Sequence, residues 1–135
     1  MSYGNVCMAQ EFEDAPSIAI VDDDDAVRSA IQLLVVSLGW TAHCYGSAAA
    51  FLDEINDTAT DCLILDLQMP GLTGADLLEI LKKRGISLPV VVITALKDDP
   101  MVGRAQANGA FTVLTKPFRD QALLDAIEAA TGDLA

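Results

Sequence analysis

The sequence predicts an α/β fold in which a doubly wound, five-stranded parallel sheet is covered by helices on both faces. Five short apolar segments alternate with five segments of helical periodicity. The strand segments are continuously apolar, as expected when both faces of a parallel sheet are buried, and short right-handed crossovers favour the doubly wound arrangement. The 135 residues fit one domain, which we assign to residues 17–131. Residues 1–16 are expected to form a flexible acidic tail, and 132–135 a short C-terminal tail.

The first two strands are predicted over residues 18–21 and 40–44. Between them, Asp25 is the expected N-cap of a helix that ends at Gly39. The apolar residues of this helix recur at helical spacing and form its expected core face: Ala26, Val27, Ala30, Ile31, Leu34, Val35 and Leu38. After the second strand, Ser47 caps a helix that extends to about residue 56.

The third and fourth strands are predicted over residues 62–66 and 89–94. The helix between them begins at Thr73 and ends near Gly85. Asp76 stands three residues after Thr73, the spacing of a capping box.

The last strand is predicted over residues 111–115, between the two final helices. Asp99 as N-cap and Pro100 at the first helical position begin the fourth helix, which Gly109 ends. The fifth helix follows Pro117, and its apolar face is expected to carry Leu123, Leu124 and Ile127.

The composition excludes several classes of function. Twenty Asp and Glu residues against eight Lys and Arg give a net charge of −12, so direct nucleic-acid binding, which depends on Lys and Arg, is not expected. No apolar run approaches the roughly 20 residues that span a bilayer, and no signal peptide is visible. We therefore expect no membrane association and a cytoplasmic location. The three cysteines and one histidine lack the clustering of a zinc site.

Five polar residues stand at the carboxyl ends of predicted strands: Asp22, Asp23, Asp66, Thr94 and Lys116. In a doubly wound sheet this edge binds ligands. Three clustered carboxylates repel unless a cation neutralises them, and hard oxygen ligands suit Mg²⁺, which also binds phosphate groups. A carboxylate can then attack phosphorus and form an aspartyl phosphate, while the lysine and the hydroxyl bind phosphoryl oxygens.

The chain resembles the receiver domain of two-component response regulators, in the CheY-like superfamily, from about residue 17 to 131. The resemblance rests on five segments in order: Ile-Val-Asp-Asp at 20–23, Leu-Asp-Leu-Gln-Met-Pro-Gly at 65–71, Val-Ile-Thr-Ala at 92–95, Asn-Gly-Ala at 108–110 and Lys-Pro-Phe at 116–118. It implies a flavodoxin-like (βα)5 fold with strand order 2-1-3-4-5. The general style is similar to receivers that precede helix-turn-helix output domains.

The resemblance implies a Mg²⁺ site and a phosphoacceptor. Asp66 is similar to the phosphoacceptor and is also a metal ligand. Asp23 resembles a direct ligand, with Asp22 assisting partly through water, and the backbone carbonyl of Gln68 supplies another ligand.

The resemblance also implies how the phosphoryl group is received. Lys116 would contact it, and Thr94 is similar to the switch hydroxyl that turns toward it. Ala95 is small, as phosphoryl access requires, and receivers usually have a cis peptide at the position of Lys116–Pro117.

One position departs from the family pattern. Val113 stands three residues before Lys116, where many receivers carry a Tyr or Phe that rotates on activation. Phe111 lies on the same strand face by the period-two rule but farther from the site. We therefore expect the output to depend on backbone shifts of residues 94–100.

The leading hypothesis is a switch in which a sensor histidine kinase or phosphotransfer protein donates a phosphoryl group to Asp66. It has no external metabolic substrate, so we do not expect an enzyme. Such receivers often dimerise through the fourth helix, fifth strand and fifth helix when phosphorylated. Two alternatives remain: a pseudo-receiver that is a constitutive interaction module, and a haloacid-dehalogenase-like phosphatase, against which the position of Asp66 after the third strand argues.

Overall fold

In a computed structural model of the chain, residues 15–56 and 59–132 are described and form five β-strand–α-helix units. Residues 1–14 and 133–135 lie outside the described residues, and most of the two predicted tails falls there. The elements are β1 (Ser17–Val21), α1 (Asp25–Ser37), β2 (Thr41–Tyr45), α2 (Ala48–Glu54), β3 (Cys62–Asp66), α3 (Gly74–Lys83), β4 (Val90–Thr94), α4 (Pro100–Ala107), β5 (Thr112–Thr115) and α5 (Asp120–Ala130).

All five strands are parallel and lie in the order β2-β1-β3-β4-β5, which confirms the predicted fold and strand order. Ile20 of β1 pairs with Cys44 on one side and with Ile64 of β3 on the other. The direction of winding reverses between β1 and β3, since β2 lies beyond β1 and the later strands lie beyond β3. The carboxyl ends of β1 and β3 therefore border the crevice of the topological switch point.

Alternate strand residues face opposite sides of the sheet, and each side has its own core. On one side, α1 and α5 contribute Ile31, Val35, Leu123, Ala126 and Ile127. On the other side, α2, α3 and α4 contribute residues that include Phe51, Leu77, Leu78, Leu81 and Ala105. The strands are thus buried on both faces, as their continuous apolar sequences predict. Among the described residues, no helix has the length and apolar character needed to cross a membrane.

Most predicted helix caps are confirmed, with one exception at α1. Ser47 and Asp99 accept hydrogen bonds from Ala50 N and Met101 N. The capping box of α3 is complete, as predicted. The N-cap of α1 is Asp24, so the assignment of Asp25 was wrong by one residue: Asp24 Oδ1 accepts from the first free N–H groups of the helix.

The second strand begins at Thr41 and not at Trp40. The Trp40 N–H donates to Val35 O (3.3 Å), and the Gly39 N–H donates to Val36 O (2.9 Å), so both amides close the end of α1. Gly39 has a φ of +83°, the left-handed conformation that glycine adopts readily. The fifth strand similarly begins one residue later than predicted, at Thr112, and the second helix ends at Glu54, two residues early.

The predicted core face of α1 is too wide. Ile31 and Val35 are buried and Leu34 is half-buried, as predicted, but Ala26, Ala30 and Leu38 are exposed. At about 100° per residue the two alanines lie a quarter turn or more from Ile31, and Leu38 is the C-cap, beyond the last helical residue. Leu124 on α5 is half-buried, and Ala126 takes the buried position beside Leu123 and Ile127.

Gly74, the first residue of α3, packs directly on the end of β3. Its N–H donates to Leu67 O (3.1 Å). A Cβ atom at this position would overlap the backbone carbonyl oxygen of Asp66 and would lie 2.9 Å from Leu67 Cα. Only glycine therefore allows α3 to start this close to Asp66.

We expect Gly74→Ala to lower the free energy of unfolding by about 1–3 kcal/mol, because the added methyl must displace the backbone of Asp66. Gly103→Ala in the exposed interior of α4 is the matched control: nothing lies within 4 Å of its Cβ position, so it should raise the free energy of unfolding by up to about 1 kcal/mol. Urea unfolding of both variants measures the difference, and equal stabilities would contradict this account.

Candidate functional site

Three carboxylates meet at the switch point of the sheet. Asp22 directly follows β1, Asp23 is the next residue, and Asp66 is the last residue of β3. One carboxylate oxygen from each lies within 4.8 Å of the others. Asp22 is fully buried, Asp66 is 4% exposed, and Asp23 is exposed. The parallel register of β1 and β3 thus assembles the three side chains that the sequence predicted as metal ligands.

Lys116 brings the opposing charge to these carboxylates. Its Nζ lies 3.5 Å from Asp22 Oδ2 and 3.8 Å from Asp66 Oδ1. The Lys116 backbone N–H donates to Thr94 O (2.8 Å), which extends the β4–β5 ladder by one step and holds the lysine at the site. The peptide bond between Lys116 and Pro117 is cis, as predicted.

The surroundings of Asp66 favour its neutral form. Burial, followed by the negative charges of Asp22 and, more weakly, Asp23, raises the pKa of this carboxyl to about 6. The Lys116 ammonium and the N–H of Gln68, which donates to Asp66 Oδ1 (3.3 Å), act in the opposite direction but do not cancel the effect. A bound cation would remove this penalty by neutralising the charge of the cluster.

The loop after β1 is held by Arg28, a residue that no sequence motif indicated. The Arg28 guanidinium donates to the Asp22 backbone carbonyl (2.6 Å) and forms an ion pair with Asp25. Asp22 Oδ1 also accepts from Asp24 N (2.9 Å), so this carboxylate has a fixed direction. In the sequence Arg28 is indistinguishable from a surface partner of Asp25 on the same helix face.

Thr94 ends β4 and is fully buried. Its Oγ1 donates to the side-chain Oε1 of Gln68 (3.0 Å), and the Leu96 N–H donates to Thr94 Oγ1 (3.1 Å). Gln68 was predicted for its backbone carbonyl alone, and the contact of its side chain with Thr94 is a further feature of the site. The two residues are 26 positions apart, and no sequence pattern predicts the pairing.

The donor set fits a hard divalent cation. Carboxylate oxygens with one exposed member leave room for water ligands, which Mg²⁺ retains. Asp22, Asp23 and Asp66 would hold such an ion, with the Gln68 carbonyl two residues after Asp66 as a further oxygen donor. Sulfur and imidazole ligands, which softer metals prefer, are absent from this cluster of described residues.

The fold and this site define a class of protein. The response regulator receiver domain family matches residues 18–128, and the chain belongs to this family. Its strand order is the one that the resemblance implied.

Similar proteins include regulators of known name. The response regulator protein TodT of Pseudomonas putida is 44% identical over 116 residues, which cover 86% of this chain and 51% of TodT. Nodulation protein W of Bradyrhizobium diazoefficiens is 41% identical over 114 residues, covering 84% of this chain and 50% of that protein. The chain thus spans about half the length of these curated relatives.

Solved structures of response regulators also superpose on this chain. The response regulator StyR superposes with a TM-score of 0.81 at 41% identity, covering 87% of this chain and 60% of that one. The structure titled FixJ-N superposes with a TM-score of 0.81 at 35% identity, covering 89% of this chain and 96% of that one.

The raised pKa of Asp66 predicts a pH-dependent stability in metal-free buffer. Below a pH of about 4 the carboxyl is protonated in the folded and unfolded states, and its full contribution to stability is present. As pH rises through about 6 the folded state must also ionise, and that contribution is lost. Relative to Asp66→Asn, we expect the wild type to lose about 2–3 kcal/mol of unfolding free energy between pH 4 and 7.

Urea unfolding at a series of pH values tests this prediction. Asp53→Asn, which removes an exposed carboxylate on α2, controls for the loss of one negative charge. A constant difference between the wild type and Asp66→Asn across the range would show that Asp66 carries no burial penalty.

Proposed function

We propose that this receiver domain accepts a phosphoryl group on Asp66 from a sensor histidine kinase or a phosphotransfer protein, and that the modification switches a protein-interaction surface. The observation that carries the proposal is the meeting of Asp66, two further carboxylates and the Lys116 ammonium at one strand edge. A single carboxylate with a nearby cation is common on protein surfaces, whereas this set converges from three strands.

The transfer needs no general base. An Asp66 carboxylate oxygen forms the new bond to phosphorus as the bond from phosphorus to the donor's histidine nitrogen breaks, and the imidazole leaves with the electron pair. Mg²⁺ on Asp22, Asp23, Asp66 and the Gln68 carbonyl would supply charge neutralisation for the reacting phosphoryl group. Lys116, whose Nζ lies 3.8 Å from Asp66 Oδ1, binds a phosphoryl oxygen.

Thr94 would couple the phosphoryl group on Asp66 to a change in the neighbouring backbone. Its hydroxyl lies at the end of β4, and residues 95–99 lead directly from it to α4. A hydrogen bond from Thr94 to a phosphoryl oxygen would pull this segment toward the site. Because Val113 has no ring to rotate, backbone movement of residues 94–100 carries the signal in this proposal.

The proposed output face consists of α4, β5 and α5, through which phosphorylated copies would dimerise. Arg104 of this face is bound within the chain: its guanidinium donates to Glu79 Oε2 (2.7 Å) and Asp76 Oδ1 (3.1 Å) of α3. Phe111, just before β5, is 50% exposed. A dimer on this face would therefore use Phe111 as an apolar contact, while Arg104 ties α4 to α3.

The wider role follows from the relatives. The matched proteins include transcriptional regulatory proteins named FixJ from Azorhizobium caulinodans and Bradyrhizobium diazoefficiens. We infer that this domain controls transcription through a partner or output region and not through direct DNA contact, in keeping with the net charge of −12. The chain would act in the cytoplasm as a switch that modifies itself, and not as an enzyme with a metabolic substrate.

Intact-mass spectrometry after incubation with acetyl phosphate is the first test. We expect one added phosphoryl group on the wild type in the presence of Mg²⁺, loss of the adduct with a chelator, and no adduct on Asp66→Asn. Asp53→Asn should be phosphorylated like the wild type, since Asp53 lies on the exposed surface of α2.

Absence of an adduct on folded wild-type protein under every condition would favour the alternative of a pseudo-receiver, which binds partners constitutively. The position of Val113 in place of an aromatic residue is the observation that favours this alternative.

The route of the signal has its own test. With Mg²⁺ and beryllofluoride, a phosphoryl mimic, we expect large backbone amide shifts in residues 94–100 and an unchanged χ1 rotamer of Phe111. NMR spectra with and without the mimic measure both regions in one sample. A change of Phe111 rotamer larger than the backbone response would contradict transmission through the β4–α4 segment.

A further inference from the structure

Gln68 lies in the loop between β3 and α3, and its side-chain amide reaches the end of β4. Resting on the proposed function, we infer that this amide is a clasp: it holds the Thr94 hydroxyl and the Ala95 N–H while Asp66 is unmodified, and it must release Thr94 before the switch can occur. Gln68 is then a positioning residue that sets how readily phosphorylation changes the conformation of the domain.

The contacts determine which end of the amide faces β4. Gln68 Oε1 accepts from Thr94 Oγ1 (3.0 Å) and from Ala95 N (3.4 Å). The Ala95 N–H can only donate, so the oxygen of the amide and not its nitrogen must face it. Two donors at the end of β4 are thus bound to one oxygen from the β3–α3 loop.

The Thr94 hydroxyl has a single proton, so it can donate a full hydrogen bond to only one acceptor at a time. That proton is donated to Gln68 Oε1, since the other acceptor in reach, Leu96 O, is farther away at 3.4 Å. The Leu96 N–H occupies a lone pair of the same hydroxyl. Thr94 therefore cannot donate to a phosphoryl oxygen and to Gln68 at the same time.

The other end of the Gln68 amide makes no hydrogen bond among the described residues. Gln68 Nε2 is buried and has no hydrogen-bond acceptor among the described residues, although buried donors are normally paired. The backbone of Gln68 is held next to Asp66, because its N–H donates to Asp66 Oδ1 (3.3 Å). Among the described residues, the side-chain amide is thus held by its hydrogen bonds on the β4 side alone. A phosphoryl group on Asp66 would add acceptor oxygens near the end of β4, to which the Thr94 hydroxyl can turn once Gln68 releases it.

The two states thus differ in the acceptor of one hydroxyl proton. In the unmodified domain it is Gln68 Oε1, and in the phosphorylated domain it is a phosphoryl oxygen. Any preference of Thr94 for Gln68 is subtracted from the free energy that drives the switch. Removing the amide should make the domain easier to activate, whereas loss of a merely structural residue would weaken activation.

NMR of the unmodified protein tests the clasp without any phosphoryl group. In Gln68→Met, which has a similar volume and no acceptor, we expect the three-bond couplings of Thr94 to show averaging of its χ1 rotamers, with an upfield shift of the Ala95 amide proton. Gln68→Glu retains the acceptor oxygen and should keep one Thr94 rotamer. Gln32→Met, on the exposed side of α1, controls for the chemical change. Gln68→Ala is a second variant without the clasp in case Gln68→Met does not fold.

Titration with beryllofluoride at saturating Mg²⁺ tests the effect on switching. We expect Gln68→Met to bind the mimic about fivefold more tightly than the wild type, the ratio that loss of one competing neutral hydrogen bond produces. Equal or weaker binding by Gln68→Met overturns the proposal, as does an unaltered Thr94 rotamer in the unmodified variant. If the wild type binds neither beryllofluoride nor a phosphoryl group, the proposed function fails together with the switching role, whereas an unaltered Thr94 with normal binding overturns the clasp alone.

Discussion

The repulsion among carboxylates at the edge of the sheet constrains the rest of this structure. Asp22 is fully buried and Asp66 is nearly so, and two negative charges this close in a poorly solvated site destabilise each other. The Lys116 ammonium partly offsets this repulsion. Lys116 lies 94 residues from Asp22 in the sequence, yet its Nζ is 3.5 Å from that carboxylate. The parallel βα topology is what makes this meeting a local contact.

The same constraint prepares the site for its proposed chemistry. Burial and the neighbouring carboxylates raise the pKa of Asp66 in spite of the Lys116 ammonium, so the cluster favours a divalent cation or a proton on Asp66. Thr94 lies at the same edge of the sheet as the carboxylates, and its hydroxyl donates to Gln68 in the unmodified state. In the proposed function, the acceptor oxygens of a phosphoryl group would rearrange these hydrogen bonds and so change the conformation of the domain.

Much of the fold was predictable from local patterns. The caps at Ser47, Thr73 and Asp99 followed from hydrogen-bonding side chains before helical periodicity, and the structure confirms all three. The errors arose where neighbouring residues offered equal local chemistry. Asp24 and Asp25 are both good N-caps, and Asp24 takes the role because its carboxylate reaches Ala26 N and Val27 N.

The sequence by itself determined the five βα units and the polar residues at their carboxyl ends, because periodicity, caps and strand length are local properties of the chain. The tertiary structure alone decided how far the core face of α1 extends, that Arg28 binds the Asp22 carbonyl, and that Gln68 pairs with Thr94. These outcomes depend on distances between elements. A side-chain amide or guanidinium can satisfy many partners, and only the packed sheet selects the one within hydrogen-bonding reach.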